Sequence, residues 1–323
     1  MENKPLLSIC IPTYNRADAL KVCIDSIVNN KVYDRNIIEI VVSDNVSTDG
    51  TYELMSELCS KNDKIIYNRN ESNIGGERNF IKVLSIANGK FLKLHNDYCV
   101  FTEEGLAFLV KTIIENEHEC PFIFIDTRNY LQLSASRCTS IDEYVKNECL
   151  NMTWISSYVF YYKDFHNIED KEEKILMQFM QADWGLKVFT KRGWNVICYG
   201  DILHRTNFKS SHGDYNLINI FGNYPELLKP YYERNIISSG ALRECILIIY
   251  KYMLMWYYNL HIKKEKHYSY RTDKNFVAIL SYMKKYNINY IWLLYIVKIV
   301  FFDMFDNTWF VKKLRLLHYK ANN

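Results

Sequence analysis

The sequence predicts an α/β fold: a mainly parallel sheet with helices on both faces, followed by a C-terminal helical subdomain. Three observations predict it. Short apolar runs recur between residues 6 and 126 without the apolar–polar alternation of a sheet that has one wet face. Segments with apolar residues at helical spacing separate these runs, which is the pattern of βαβ units. Past residue 238 the strand pattern stops, and long helical stretches of different charge follow.

Each element can be justified in order. Residues 6–12 form an apolar run closed by proline and read as a buried strand. Over 17–28, Leu20, Cys23, Ile24 and Ile27 fall on one helical face. IIEIVV at 37–42 is a second buried strand. Ser47, Thr48, Asp49 and Gly50 supply cap chemistry for a helix over 52–59. A short strand at 64–67, an Asn-Ile-Gly-Gly turn at 73–76 and a helix over 77–87 follow. Residues 91–94 read as a strand, 103–115 as a helix, and FIFID at 122–126 as a strand. After 126 the pattern loosens. Residues 171–191 read as largely helical with an interruption near Ala182-Asp183, 195–198 as a strand, and 206–224 as a polar loop or lid. Helices are predicted over 241–260, 275–286 and 288–305. The expected division is a catalytic-type domain over 1–237, split near 126 into two parts, and a helical subdomain over 238–323.

Composition narrows the function. The 323 residues are 49% hydrophobic and 24% charged, which excludes long disorder, and a net charge of +3 gives no case for nucleic acid as the main partner. The charge is uneven: residues 240–323 hold 14 Lys and Arg against 5 Asp and Glu, a net charge of +9. Trp256, Tyr257, Tyr258, Trp292, Tyr295 and Trp309 lie in that segment among Lys263, Lys264, Lys298, Lys312, Lys313 and Arg315. This mixture suits docking on an anionic membrane surface, and equally a helical bundle or homo-oligomer interface. The nine cysteines show no C-x-x-C pair, which argues against a zinc site or disulfide scaffold and for a reducing cytoplasm. The longest apolar run, 291–302, is interrupted by Lys298, so a peripheral rather than membrane-spanning protein is expected.

In open parallel sheets, ligands bind beyond the carboxyl ends of the strands. The polar residues there are Thr13, Tyr14, Asn15 and Arg16 after the first strand and Ser43, Asp44 and Asn45 after the second. Asn73, Arg78 and Asn79 flank the glycine turn, and His95, Asn96 and Asp97 follow the fourth strand. No G-x-G-x-x-G follows the first strand and no P-loop occurs, so dinucleotide and P-loop binding are disfavoured. A nucleotide held by its base and ribose, with its diphosphate on a metal and an arginine, fits better. Asp44 can accept from a base N–H, and Asp97 can hold a hard cation.

Four ordered blocks, SICIPTYNRADAL, EIVVSDNVSTDGT, NIGGERNF and IANGKFLKLHND, resemble the family 2 glycosyltransferases of the GT-A, Rossmann-like fold, within it bacterial O-antigen enzymes of the abequosyltransferase kind. QADWGL at 181–186, followed by KRGW, resembles the family's acceptor-side block. The resemblance implies an inverting transfer from a nucleotide-diphosphate sugar to a glycan, assembled on a lipid carrier at the inner face of the membrane. It implies that Pro12, Thr13 and Tyr14 border the base and ribose, with Asn15, Asn79, His95 and Asn96 in the same donor site. Asp44 would contact the base and Arg78 the diphosphate. Asp97, with His204 (or His212), would hold Mn2+ or Mg2+, and Asp183 would be the catalytic base. The sequence departs from the pattern at three places: His95 stands at the first D-x-D position, Tyr98 follows Asp97, and Ala182 replaces one of an acidic pair. No Q-x-x-R-W occurs, so one sugar per encounter is expected. His95 and Ala182 also motivate a rival, a catalytically weak nucleotide-sugar-binding or assembly protein.

Overall fold

The structure, a computed structural model, describes residues 4–126, 128, 132–206, 217–261, 276–286 and 288. The chain falls into two compact units, Met1–Ser210 with Tyr224–Cys245, and Ser211–Asn223 with Ile246–Asn323.

The first unit holds the expected α/β fold. Its strands and helices run β1 (Leu7–Thr13), α1 (Ala17–Val28), β2 (Ile38–Asp44), α2 (Thr51–Lys61), β3 (Ile65–Arg69), α3 (Gly76–Ile86), β4 (Phe91–Leu94), β5 (Cys99–Phe101), α4 (Glu103–Glu115) and β6 (Ile123–Asp126). They continue as β7 (Ser134–Cys138), α5 (Ile141–Glu148), β8 (Tyr158–Tyr161), α6 (Tyr162–His166), α7 (Met180–Arg192), β9 (Asn195–Tyr199) and β10 (Leu203–Arg205). Eight strands form one sheet in the order β3-β2-β1-β4-β8-β6-β9-β7. The β1–β2, β2–β3, β1–β4 and β6–β9 pairs are parallel, whereas β8 runs antiparallel to both β4 and β6, and β7 antiparallel to β9. β5 pairs separately with β10. From β3 the chain returns across the sheet to β4, so right-handed crossovers put α3 on the face opposite α1 and α2.

The two faces bury different chemistry. Ile9, Ile11, Ile40 and Val42 of the sheet pack with Leu20, Ile24 and Ile27 of α1 and Leu106, Leu109 and Ile113 of α4. On the other face, alternate positions of β6 and β8 present rings. Phe122, Phe124, Tyr158 and Phe160 stack or meet edge-on with one another, and Tyr144, Phe165, Phe189 and Trp184 join them. Gly185 lets α7 approach this layer, since a Cβ there would stand 2.9 Å from Tyr158 Cε1. Gly193 ends α7 at φ +76°, a left-handed cap that favours glycine.

Two expectations change. The helix predicted over 171–191 starts instead at Met180, because Gln178 takes a left-handed φ of 63° and breaks the preceding turn. Ala182-Asp183 therefore lies in the first turn of an unbroken helix. The loop predicted over 206–224 becomes helix α8 (Leu217–Glu233) in its second half. Phe221, Tyr224, Leu227, Leu228 and Tyr231 recur at helical spacing and are buried, which outweighs Pro225 and Pro230 within the helix.

Helices α9 (Ser239–His261) and α10 (Phe276–Lys285) match the predicted stretches. In the second unit Phe221 meets Tyr252, and Tyr250 meets Tyr286. The helix expected over 288–305, the basic tail, His212, and Lys263, Lys264, Trp292, Tyr295, Lys298, Trp309, Lys312, Lys313 and Arg315 lie outside the described residues. Among the described residues no helix is long and apolar enough to cross a membrane.

Candidate functional site

The register of the parallel strands brings the predicted residues to one edge. Thr13 and Asp44 close β1 and β2 side by side, and β4, paired with β1, ends just before His95, Asn96 and Asp97. β6 runs in the same direction as β4, so Asp126 reaches this edge too.

Asp97 is 1% exposed. Its Oδ2 accepts from Thr13 Oγ1 at 2.8 Å and its Oδ1 from the Arg16 guanidinium at 2.8 Å. Burial pushes the Asp97 carboxyl up from the ordinary aspartate range, and Arg16 and Thr13 partly restore it. Arg16 lies over the Tyr98 ring, with its Cζ 5.3 Å from the centroid. His95 is fully buried, stacked on Phe101 at 4.7 Å, with Nε2 3.3 Å from Cys99 O. Burial and the neighbouring Lys93 hold His95 well below its usual range, so it is a neutral ring in the core. Lys93 is itself buried, donates to Leu94 O and Ser156 O, and is pushed down to about 7 by that burial.

Asp44 is filled by four donors. Ser47 N (2.9 Å) and Ser47 Oγ (2.5 Å) reach Oδ1, and the Tyr67 hydroxyl (2.7 Å) and Arg69 (3.2 Å) reach Oδ2. A nucleobase N–H meeting this carboxylate has to share or displace one of them. Asn15, at φ 53°, ties two loops together: its N–H donates to Ser47 Oγ and its Oδ1 accepts from Thr48 N–H. Pro12 lies within β1, and Tyr14 is 45% exposed at the edge. Asn79 is buried, clipping α3 to β2 through Ser43 Oγ and Ser43 O. Arg78 is exposed and forks onto Glu172 at 3.1–3.2 Å.

On α7, Asp183 is 2% exposed. Oδ1 accepts from the Tyr231 hydroxyl at 2.8 Å, and Oδ2 pairs with Lys187 Nζ at 2.8 Å. Lys187 also pairs with Glu173 at 2.8 Å. Burial would lower Lys187, but the hydrogen bonds to Asp183 and Glu173 prevail and raise it. Glu173 falls to about 2 through its bonds to Lys174 and Lys187.

The divalent metal expected at Asp97 does not fit these residues. A hard cation takes six or so oxygens. At Asp97 itself there is one carboxylate, and each of its oxygens already accepts a hydrogen bond, one of them from a guanidinium. His204 does not complete a set: its ring, 57% exposed on β10, has Nδ1 3.7 Å from Asp201. Among the described residues no three His, Cys, Asp or Glu gather to hold a metal.

Sequence reasoning missed three groups. Arg16 was noted at the strand end but given no role, since its partner lies 81 positions away. Tyr231 sits in the stretch of unrecognised helix. The third is a cluster at the end of β6. Asp126 and Glu148, both buried, share Arg128, whose guanidinium donates to Asp126 Oδ2 at 2.6 Å and Glu148 Oε1 at 3.1 Å, and Asn151 donates to both acids. The signal was the acid that ends FIFID.

Burial raises Glu148 to about 7 from 4.5. The folded chain then holds this proton more tightly than the unfolded chain, so the contribution of Glu148 to stability falls as pH rises from 4.5 to 7. The loss amounts to roughly 2–4 kcal/mol. Urea denaturation of wild type and Glu148→Gln at pH 5 and pH 8 checks this. The gap between the two proteins should move in favour of the variant at the higher pH, and a constant gap refutes it.

Residues 8–179 match the sequence pattern described as Glycosyl transferase family 2. Over 105 residues the chain is 41% identical to abequosyltransferase RfbV of Salmonella typhimurium, covering 32% of this chain and 31% of that protein. It is 32% identical over 116 residues to the GalNAc(5)-diNAcBac-PP-undecaprenol beta-1,3-glucosyltransferase of Campylobacter jejuni, covering 36% and 35%. The match spans about a third of the length of these curated relatives. Among solved structures, S. aureus TarS 1-349 in complex with UDP-GlcNAc superposes with a TM-score of 0.59 at 12% identity, over 87% of this chain and 80% of that one. At that identity the likeness concerns the fold.

Proposed function

The chain belongs to Glycosyl transferase family 2 and resembles its O-antigen enzymes, and from that premise we propose that it moves a sugar from a nucleotide-diphosphate sugar to a hydroxyl of a bacterial surface glycan, inverting the anomeric centre. The observation that carries the reading is the strand-end edge. Thr13 and Asp44 close adjacent parallel strands and Asp97 follows the next one, all within the residues that match the family. The nucleoside lies against Pro12, Thr13, Tyr14 and the Asp44 loop, and the diphosphate toward Asp97.

In the proposed reaction the acceptor oxygen attacks the anomeric carbon from the face opposite the diphosphate. The carbon–oxygen bond to the β-phosphate breaks, and its electron pair leaves with the nucleoside diphosphate. The acceptor proton passes to Asp183. Tyr231 and Lys187 fix the plane of that carboxylate, and the acceptor hydroxyl takes the place of the Tyr231 hydroxyl on Oδ1. The name of the Campylobacter relative places its acceptor on a PP-undecaprenol. We extend that lipid-linked class of acceptor to this chain, with the basic C-terminal segment on the anionic membrane surface. One incubation tests the function. A panel of nucleotide-diphosphate sugars with lipid-linked glycan acceptors should release nucleoside diphosphate only when donor and acceptor match. Release from no pair, with intact binding of a donor, leaves the rival of a binding protein.

Tyr231 gives a sharper expectation. Tyr231→Phe removes the hydroxyl that donates to Asp183 Oδ1, so kcat should fall while donor binding stays at the wild-type level. A kcat equal to the wild type means Tyr231 does not act on Asp183.

A further inference from the structure

We propose that Arg16, held by Asp97, neutralises the donor diphosphate at the strand-end edge, in the place where a divalent cation ligated by Asp97 would stand. The inference rests on the nucleotide-diphosphate-sugar reading above, and its test separates the two.

The first support is the ion pair. Asp97 is sealed beneath the edge, while the Arg16 side chain, 14% exposed, borders solvent. Thr13 and Arg16 occupy one carboxylate oxygen each at 2.8 Å. A buried carboxylate in that arrangement fixes the direction of a guanidinium, the cation whose planar fork matches phosphate oxygens. A metal ion entering at Asp97 has to share or displace these donors and then sit against the positive charge of Arg16.

The second support is the sign of the surrounding groups. Tyr98, the residue after Asp97, places a ring under the guanidinium at 5.3 Å and stabilises a cation that is already part of the protein. Asn96 is 8% exposed, and among the described residues its Nδ2 donor finds no hydrogen-bond partner. A buried donor without a partner costs stability unless a ligand meets it. Donors suit phosphate oxygens, whereas a cation needs acceptors. His95, next to Asn96 in the sequence, is stacked on Phe101 inside the core.

As the sugar leaves, the bond to the β-phosphate oxygen breaks and negative charge grows on that oxygen. A fixed guanidinium meets this charge without reorganising.

The test uses the full chain, freed of metal, and isothermal titration with UDP, GDP, CDP and dTDP in excess EDTA and again in excess Mn2+. At least one nucleotide should bind in EDTA, with an affinity that Mn2+ changes by less than about threefold. Mn2+ alone, followed by electron paramagnetic resonance, should show no bound ion. Arg16→Ala should weaken binding about tenfold or more, and Arg16→Lys should fall between. Because Arg16→Ala leaves a buried carboxylate without its counter-charge, the double variant Arg16→Ala/Asp97→Asn repeats the measurement with a neutral pair, its fold checked by circular dichroism. Binding that requires Mn2+, an Mn2+ signal lost in Asp97→Asn, or wild-type affinity in the double variant would overturn the proposal. If none of the four nucleotides binds under either condition, the nucleotide-sugar reading itself fails, and the proposal falls with it.

Discussion

Asp183→Asn should lower kcat by about 10²- to 10⁴-fold, the usual worth of a positioned general base, while donor binding stays at the wild-type level. The substitution suits the site. Lys187 can keep the amide oxygen, and the Tyr231 hydroxyl can turn to accept from the new NH2, so the packing of α7 survives. Nucleoside diphosphate release under saturating donor and acceptor reads the effect, and titration with donor alone reads the binding. An unchanged kcat would remove Asp183 from the reaction and return the question to the acids at the end of β6.

Trp184→Ala should destabilise the fold by about 3–5 kcal/mol, as for other large aromatic side chains removed from a core. Trp184 is fully buried between Phe160 and Phe165, with ring centroids at 6.3 and 5.6 Å, and its indole N–H donates to Lys171 O at 3.0 Å. The alanine leaves both a cavity and a carbonyl without its donor. The urea midpoint measures the loss. A midpoint equal to the wild type would mean that the aromatic layer closes over the gap without cost. Asp183 precedes Trp184 on the same turn, so the loss should reach kcat as well.

Most of the first 126 residues were legible because burial on both faces leaves strands that read as unbroken apolar runs, and the intervening helices carry one apolar stripe each; the three-residue β5, paired with β10 far along the chain, was not. The edge strand β7, SASRC, is exposed and polar and gives no such run. Helix α5 buries only Tyr144, Val145 and Glu148. Helix α8 contains two prolines, which mask a buried face that only tertiary packing rewards. The site divides in the same way. Strand-end positions of Thr13, Asp44 and Asp97 follow from strand order, which local sequence dictates. Side-chain pairing does not: Arg16 with Asp97, and Tyr231 with Asp183, join residues 81 and 48 positions apart. The resemblance placed His95 with the donor ligands, yet its neighbours Phe101 and Lys93 set it inside the core.

The strand order also sets a sequence of events during synthesis. β1, β2 and β3 lie side by side in the order in which they leave the ribosome, and β4 joins β1 as soon as residue 94 emerges. Their contacts are local and form early. The next neighbour of β4 is β8, and β6 waits for β9, so that half of the sheet cannot close until about residue 199 is made. Until β8 emerges, at about residue 161, the free side of β4 is an unpaired edge in a nascent chain, open to wrong partners. The strand-end edge built from β1, β2 and β4 is thus assembled before the polypeptide that carries Asp183 has been translated.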